Sequence, residues 1–346
     1  MSFAEYFLQQ LNRHPSAQPQ DVVKLCYQAA LGGEHLLTDV RRAKEYFDRE
    51  FVAVTAKDTD IYEKISDDFC RVNLSAWKSC ALPAEWLFSM FVLSNGNNGG
   101  SLEDYLVIAE NAVSQNKAAF SFGEWENYLS EYKKAGCPAV HHSEQYRKSE
   151  QPSYRIVSCR CLRMLPILQK LAQTKVTAGP TVIAIDGRAA SGKSTVAKLL
   201  EDILGADVIH MDDFFLPPAL RCEDRLREVG GNVHYERFAE EVLPHLKRTD
   251  AFTYRIFDCG IMDYNGKKEI GGSDYIIVEG SYSCHPSFGN YADITVFSDV
   301  SADEQMRRVI KRNGTELAEM FRTRWIPMEE KYFETFTISA KTDIKI

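Results

Sequence analysis

AIDGRAASGKSTVAKLL, residues 184–200, carries an apolar run into a turn and out into a helix-like run, with Gly187 followed after four residues by Gly192-Lys193-Ser194. This is G-x-x-x-x-G-K-[ST] spacing, and each residue type has a task in holding phosphate. Glycines let the backbone approach the ligand and turn its N–H groups inward. The loop opens a helix, whose N-terminal end suits an anion. Lys193 is placed to reach outer phosphates and Ser194 to ligate Mg²⁺. The expected nucleotide contacts are Gly187, Ala190, Ser191, Gly192, Lys193, Ser194 and Thr195.

Outward from this loop, short β-branched runs alternate with helical stretches. TVIAID (181–186), ADVIH (206–210), DYIIVEG (274–280) and DITVF (293–297) read as buried strands. Alternation of this kind predicts an α/β fold, a P-loop NTPase domain with a parallel sheet flanked by helices. Two of the strands end in carboxylates. VIHMDDFF (208–215) puts Asp212 and Asp213 at the carboxyl edge of the sheet, where open α/β folds bind ligands, and the apolar strand of DYIIVEG ends in Glu279. Asp212 is placed to accept a proton from a hydroxyl while influencing the metal, and Glu279 to hold Mg²⁺ or orient an acceptor. A cap on the following turn is the competing reading of the acidic pair.

The preceding half has a different texture. Phe3, Phe7 and Leu11 share one helical face, and Val22, Val23, Cys26 and Ala30 another, stopping at Gly32-Gly33. Further helices are expected over 34–51, 83–93, 102–115, 124–134 and 154–173. Ser101 with Asp104 reads as a capping box after the glycine-rich NGNNGG, residues 95–100. These assignments give an all-helical domain over 1–172, a polar linker at 173–180, and the P-loop domain over 181–346.

A net charge of −8 speaks against coating nucleic acid or an anionic membrane. No stretch approaches the roughly 18 uncharged apolar residues of a membrane span. Nine cysteines without paired C-x-x-C spacing fit a reducing, cytoplasmic setting.

AASGKST (189–195), HMDDFF (210–215), IIVEG (276–280) and the tail from RRVIKRNG to WIPMEEKYF together resemble the uridine kinase family of small-molecule P-loop kinases, which includes nicotinamide riboside kinase, phosphoribulokinase and pantothenate kinase. The resemblance covers about residues 180–335, and HMDDFF is especially similar to nicotinamide riboside kinases. It implies ATP and Mg²⁺ as cofactors, Asp212 as catalytic base and Glu279 as the acidic residue of the second element. Ser194, Asp212 and Glu279 would then surround the metal. It also implies an arginine-bearing lid over the phosphates. SADEQMRRVIKRNG offers Ser301 as a cap and Arg308 and Arg312 on one face, with Arg307, Arg322 and Arg324 as further candidates.

The acceptor pocket is expected from RCEDRLREVGGNVHYERF (221–238) and FTYRIFDCG (252–260), with Arg221, Tyr235, Tyr254 and Asp258 as contacts. Uridine kinases carry an N-x-D-H-P element here, and the identities differ. The many arginines suit an acceptor already bearing phosphate or carboxylate; pairing with nearby acids is the alternative. Arg188, inside the loop, faces either solvent or the acceptor. In the helical half, His35, His141, His142 and Glu144 form a polar set with metal binding among its readings. The expected activity is phosphorylation of a hydroxyl on a small nucleoside-, ribose- or sugar-like molecule, with a homo-oligomer also compatible. A nucleotide-dependent switch signalling through the helical domain is the alternative.

Overall fold

The computed structural model describes residues 2–96, 99–115, 118–175 and 178–346, and the chain divides into two compact units, Met1–Leu165 and Pro166–Ile346. Asn97 and Asn98 of NGNNGG lie outside the described residues, and so does the anion-binding reading of that loop. Val176 and Thr177 of the expected linker lie outside them too. Among the described residues no helix is long and apolar enough to cross a membrane.

In the first unit the expected helical faces form: Phe7, Leu11, Val22, Val23 and Cys26 are buried in one core with Phe69, Trp125 and Leu129, and Ala30 is buried as well. The helix that starts at Leu102 has Ser101 in the cap position, but the serine side chain makes no capping bond. The stretch expected as one helix from residue 34 is a single turn, Glu34–Leu36, and then a helix, Val40–Ala53, capped by Asp39.

The unit is not helical throughout. β1 (Tyr62–Lys64), β2 (Phe69–Asn73) and β3 (Tyr154–Ser158) make an antiparallel sheet in that order. The helix expected over 154–173 is therefore β3, a short turn of helix at Cys159–Leu162, and a helix at Leu165–Gln173. β2 hid from periodicity because Phe69, Cys70, Arg71 and Val72 are all buried, so no polar face alternates with an apolar one.

His142 is 8% exposed. Its Nδ1 lies 3.0 Å from Asp21 and its Nε2 lies 2.6 Å from the Tyr154 hydroxyl. Burial pushes its pKa down to about 4, with Arg71 and Lys24 adding to the shift and Asp21 opposing it. The folded state therefore keeps this imidazole neutral where the unfolded chain, titrating near 6.5, takes a proton. Stability from this source is complete above pH 6.5 and lost as pH falls toward 4, by roughly 3 kcal/mol. We expect denaturant unfolding, followed by the tryptophan fluorescence dominated by Trp77, Trp86 and Trp125, to lose stability more steeply over that window than in His142→Gln. Equal slopes would remove His142 as the cause.

The second unit is built on β4 (Thr181–Gly187), β5 (Asp207–His210), β8 (Tyr275–Glu279), β9 (Ile294–Ser298) and β10 (Ile344–Lys345), all parallel in the order β10-β9-β4-β8-β5. β6 (Phe252–Asp258) and β7 (Asp263–Ile270) form a separate antiparallel hairpin. The helix Lys193–Leu204 joins β4 to β5, and β8 lies between those two strands, so their carboxyl ends and that of β8 converge on one edge. Val182, Ile209, Ile276, Val278 and Phe297 fill the core below. Ala302–Met320 begins at the Ser301 cap and breaks at Gly314, whose φ is 76°. A π turn, Phe321–Trp325, then leads into Ile326–Phe336.

Candidate active site

β4 ends in a buried carboxylate that anchors the loop. Asp186 is fully buried and accepts from the backbone N–H of Gly187 (2.7 Å) and Cys284 (2.9 Å) and from the Tyr332 hydroxyl (2.7 Å). Burial raises its pKa. Gly187 follows with φ of 140°, and a Cβ there would lie 2.0 Å from the Ser298 carbonyl oxygen, so no other residue fits. The turn closes through Ala190 and Gly192 at positive φ. Lys193 is buried and donates to the Gly187 and Arg188 carbonyls, each at 2.9 Å, bridging the loop from its helix. Glu329, in the tail helix, accepts from the Ala189 N–H (2.9 Å) and the Ser281 hydroxyl (2.7 Å). Burial raises its pKa also. Reading the sequence passed over both acids, although each lies within a quoted motif.

At the converging strand ends Ser194 Oγ donates to Glu279 at 3.1 Å, and His210 Nδ1 lies 2.6 Å from the same carboxylate. β5 and β8 pair His210 directly with Glu279, so strand register sets this contact. The Glu279 hydrogen bond raises the His210 pKa.

The acidic pair after β5 divides its duties. Asp213 accepts from the buried Tyr254 hydroxyl at 2.8 Å and its carbonyl accepts from Arg237, so it is structural. Asp212 opens into the cleft, and among the described residues its carboxylate has no hydrogen-bond partner. The cleft walls and the nearby Glu279 charge raise its pKa above the ordinary 3.8. Because the side chain remains open to water, the enclosing walls rather than full exclusion of solvent cause the shift.

The cleft has a volume of about 1030 Å³ and runs from the phosphate loop past Asp212 to the kinked tail. Ala190, Gly192, Lys193, Ser194, Thr195 and Glu279 line one part of it. Arg308 and Arg312 line the tail side, together with Arg324 and with Lys311, which sequence reasoning missed. Arg308 donates to the Ala190 and Ser191 carbonyls, each at 3.2 Å, and pairs with Glu304 at 2.6 Å. Arg307 and Arg322 instead pair with Glu304 and Glu319 and do not line the cleft. Arg188 is held by Glu330 (2.7 and 2.9 Å) and by Asp299 and is not among the residues that line the cleft.

Of the four expected acceptor contacts, Arg221 lines the cleft. Tyr254 stands behind it on Asp213. Tyr235 packs beneath Arg225, 3.9 Å from the ring centre, and donates to Glu228. Asp258 is bound within the hairpin turn by the Gly260 N–H and Asn265. Arg225, Arg227 and Arg255 pair with glutamates, as the alternative reading of the arginine-rich stretch had it. Phe215, Asn232, Cys259 and Met262 also line the cleft without having been singled out.

The polar set of the first unit does not converge. His142 is bound to Asp21 and Tyr154, His35 packs against the Tyr27 ring, and Glu144 pairs with Lys148 on the surface. Among the described residues no group of three or more His, Cys, Asp or Glu side chains is placed to hold a metal. The metal reading of His35, His141, His142 and Glu144 is therefore set aside.

No protein-family model matches the sequence, and no curated protein matches it. Among solved structures, the chain is similar to one described as a possible uridine kinase from Bacillus stearothermophilus, at 23% identity over 53% of this chain and 97% of that one, with a TM-score of 0.41. It is also similar to D-glycerate 3-kinase from Cryptococcus neoformans var. grubii, at 16% identity over 50% of this chain and 88% of that one, with a TM-score of 0.37. The two matches cover about half of this chain. By its own strand order, the second unit is an α/β fold with a five-stranded parallel sheet flanked by helices.

Proposed function

We propose that the second unit transfers the γ-phosphoryl group of ATP to a hydroxyl of a small molecule of nucleoside, ribose or sugar-like size. The observation that carries this reading is the unpartnered Asp212 carboxylate beside Ser194, Glu279 and the phosphate loop at one sheet edge. A phosphate loop alone serves many activities; a base facing the place where an outer phosphate would lie supports transfer to an acceptor.

The backbone of Gly187–Ser194 and Lys193 bind and orient the phosphates, and Arg308 and Arg312 meet their charge from the tail side. Asp212 takes the proton from the acceptor hydroxyl as the oxygen attacks. The donor set also suits Mg²⁺, a hard cation that usually takes one or two protein oxygens and completes its shell with water and phosphate. Ser194 and Glu279 would hold it with Asp212 alongside, and its chemistry there is neutralisation of phosphate charge.

Arg221 refines the acceptor. Its Nε donates to the Leu216 carbonyl at 2.7 Å, and among the described residues its terminal nitrogens have no partner. Arg221, Asp212 and Cys259 line the same cleft. An acceptor bearing a carboxylate or phosphate as well as its hydroxyl fits Arg221 together with Asp212.

The test is ADP formation from ATP and Mg²⁺ against nucleosides, sugars, sugar phosphates and hydroxy acids. Acceptor-dependent ADP formation is expected. ATP turnover indifferent to every acceptor would reject the reading. Arg221→Gln is expected to raise the acceptor KM by about 10-fold or more, the worth of a lost charge-assisted contact, with the ATP KM unchanged. An equal rise in both would place Arg221 elsewhere in the cycle.

A further inference from the structure

The nine cysteines are all free thiols, and two of them are in contact. Cys70 of β2 and Cys159, the first residue of the short helix after β3, have their sulfurs 3.2 Å apart. Strand register produces the contact. β2 and β3 pair Cys70 with Val157 and Phe69 with Ser158, and the Cys159 N–H continues the ladder by donating to the Asp68 carbonyl at 2.7 Å. Residues two apart along a strand share a face, so Cys70 and Cys159 are diagonal neighbours on one side of the sheet. They are 89 positions apart in the chain, and sequence spacing gave no sign of the pair.

Their surroundings differ. Cys70 is 1% exposed, in the strand that lies between β1 and β3. Cys159 is half-buried. Lys64 stands directly opposite Cys70 on β1, so its side chain leaves the sheet on that same face, where it also donates to Asp67 at 2.8 Å. The hydrogen bond with Cys70 does most to hold the Cys159 thiol below the ordinary 9.0; burial opposes the shift, the Lys64 charge adds to it, and Asp68 and Asp67 act against it. The same hydrogen bond, with burial, pushes the Cys70 thiol up. The more accessible sulfur therefore ionises first, beside a buried thiol that keeps its proton. An attacking cysteine and its resolving partner need this division.

We propose that Cys70 and Cys159 are a modification site, a pair of thiols that hydroperoxides convert reversibly to a disulfide. The Cys159 thiolate attacks one peroxide oxygen: an S–O bond forms, the O–O bond breaks, and the departing hydroxide takes a proton to become water. Cys70 then gives up its proton and attacks the Cys159 sulfur. The S–S bond forms, the S–O bond breaks, and the hydroxide leaves with that proton as a second water. The two thiols lose two electrons and the peroxide gains them. A disulfide holds its sulfurs about 2.05 Å apart, so the pair closes by roughly 1 Å. Cys159, at the start of a helix of four residues, is the end placed to move. A thiol reductant restores both groups by exchange. The site stands apart from the kinase reading, since both residues lie in the first unit.

The full chain, reduced and then exposed to hydrogen peroxide, is alkylated and digested without reduction for mass spectrometry. The peptides joined through Cys70 and Cys159 are expected to exceed any other intramolecular disulfide by about 10-fold or more, and dithiothreitol is expected to return both residues to thiols. Cys70→Ser is expected to let Cys159 run on to the sulfinic acid, and Cys159→Ser, at a half-buried helix start, to leave Cys70 unmodified. Cys70 and Cys159 both remaining alkylated after peroxide has oxidised the exposed Cys80, Cys222 and Cys259 would overturn the proposal. So would a Cys159 disulfide to Cys161, or to a second chain, in place of the bond to Cys70.

Discussion

Asp212→Asn is expected to leave the ATP Kd within about twofold and to lower acceptor-dependent turnover by about 10³-fold, within the usual range for losing a general base. The expectation rests on the division between two adjacent carboxylates. Asp213 is committed to Tyr254 and Asp212 faces the cleft without a protein partner. Removing the charge at 212 should therefore leave local packing alone and take away the proton acceptor. Asp213→Asn, by contrast, should show as lost stability, because it weakens the anchor between the turn and β6. The pH profile gives a second reading of the same group. Its pKa is raised, and the base acts only when deprotonated, so turnover falls as pH drops through a value above the ordinary 3.8. An acid limb at or below that value would contradict the role.

Lys193→Ala is expected to reduce kcat/KM for ATP by about 10²- to 10³-fold, corresponding to about 3–4 kcal/mol of lost electrostatic stabilisation. Lys193 starts the helix and spans the loop to the Gly187 and Arg188 carbonyls, so its ammonium is held within reach of whatever the loop cradles. Alanine keeps the helix start and removes the cation together with its two bonds to the loop carbonyls. Steady-state kinetics together with nucleotide binding separate the two contributions. Turnover within a few-fold of the parent would show that the loop does not hold phosphate in a reactive position.

The site was legible in the sequence where one short segment supplied both the fold and the chemistry. The loop spacing, the strand before it and the carboxylates within VIHMDDFF and DYIIVEG all come together at one sheet edge. Residues whose meaning depends on distant partners were not legible. Asp186 and Glu329 anchor the loop through Tyr332, Ala189 and Ser281, contacts that join segments far apart in the chain. The arginine-rich stretch from 221 read as a set, whereas the fold pairs most of its members with glutamates and leaves Arg221 in the cleft. In the first unit, helical periodicity found the outer helices and missed the sheet, because β2 is buried on both faces and β3 continues into helix within a few residues.

The most direct test follows the γ-phosphoryl group itself. ³¹P NMR of a reaction containing ATP, Mg²⁺ and an acceptor panel should show a new phosphomonoester forming one-for-one with ADP and absent without the acceptor. A γ-phosphoryl group that stays on ATP, or appears only as inorganic phosphate at a rate indifferent to every acceptor, would contradict the account and favour a nucleotide-dependent switch.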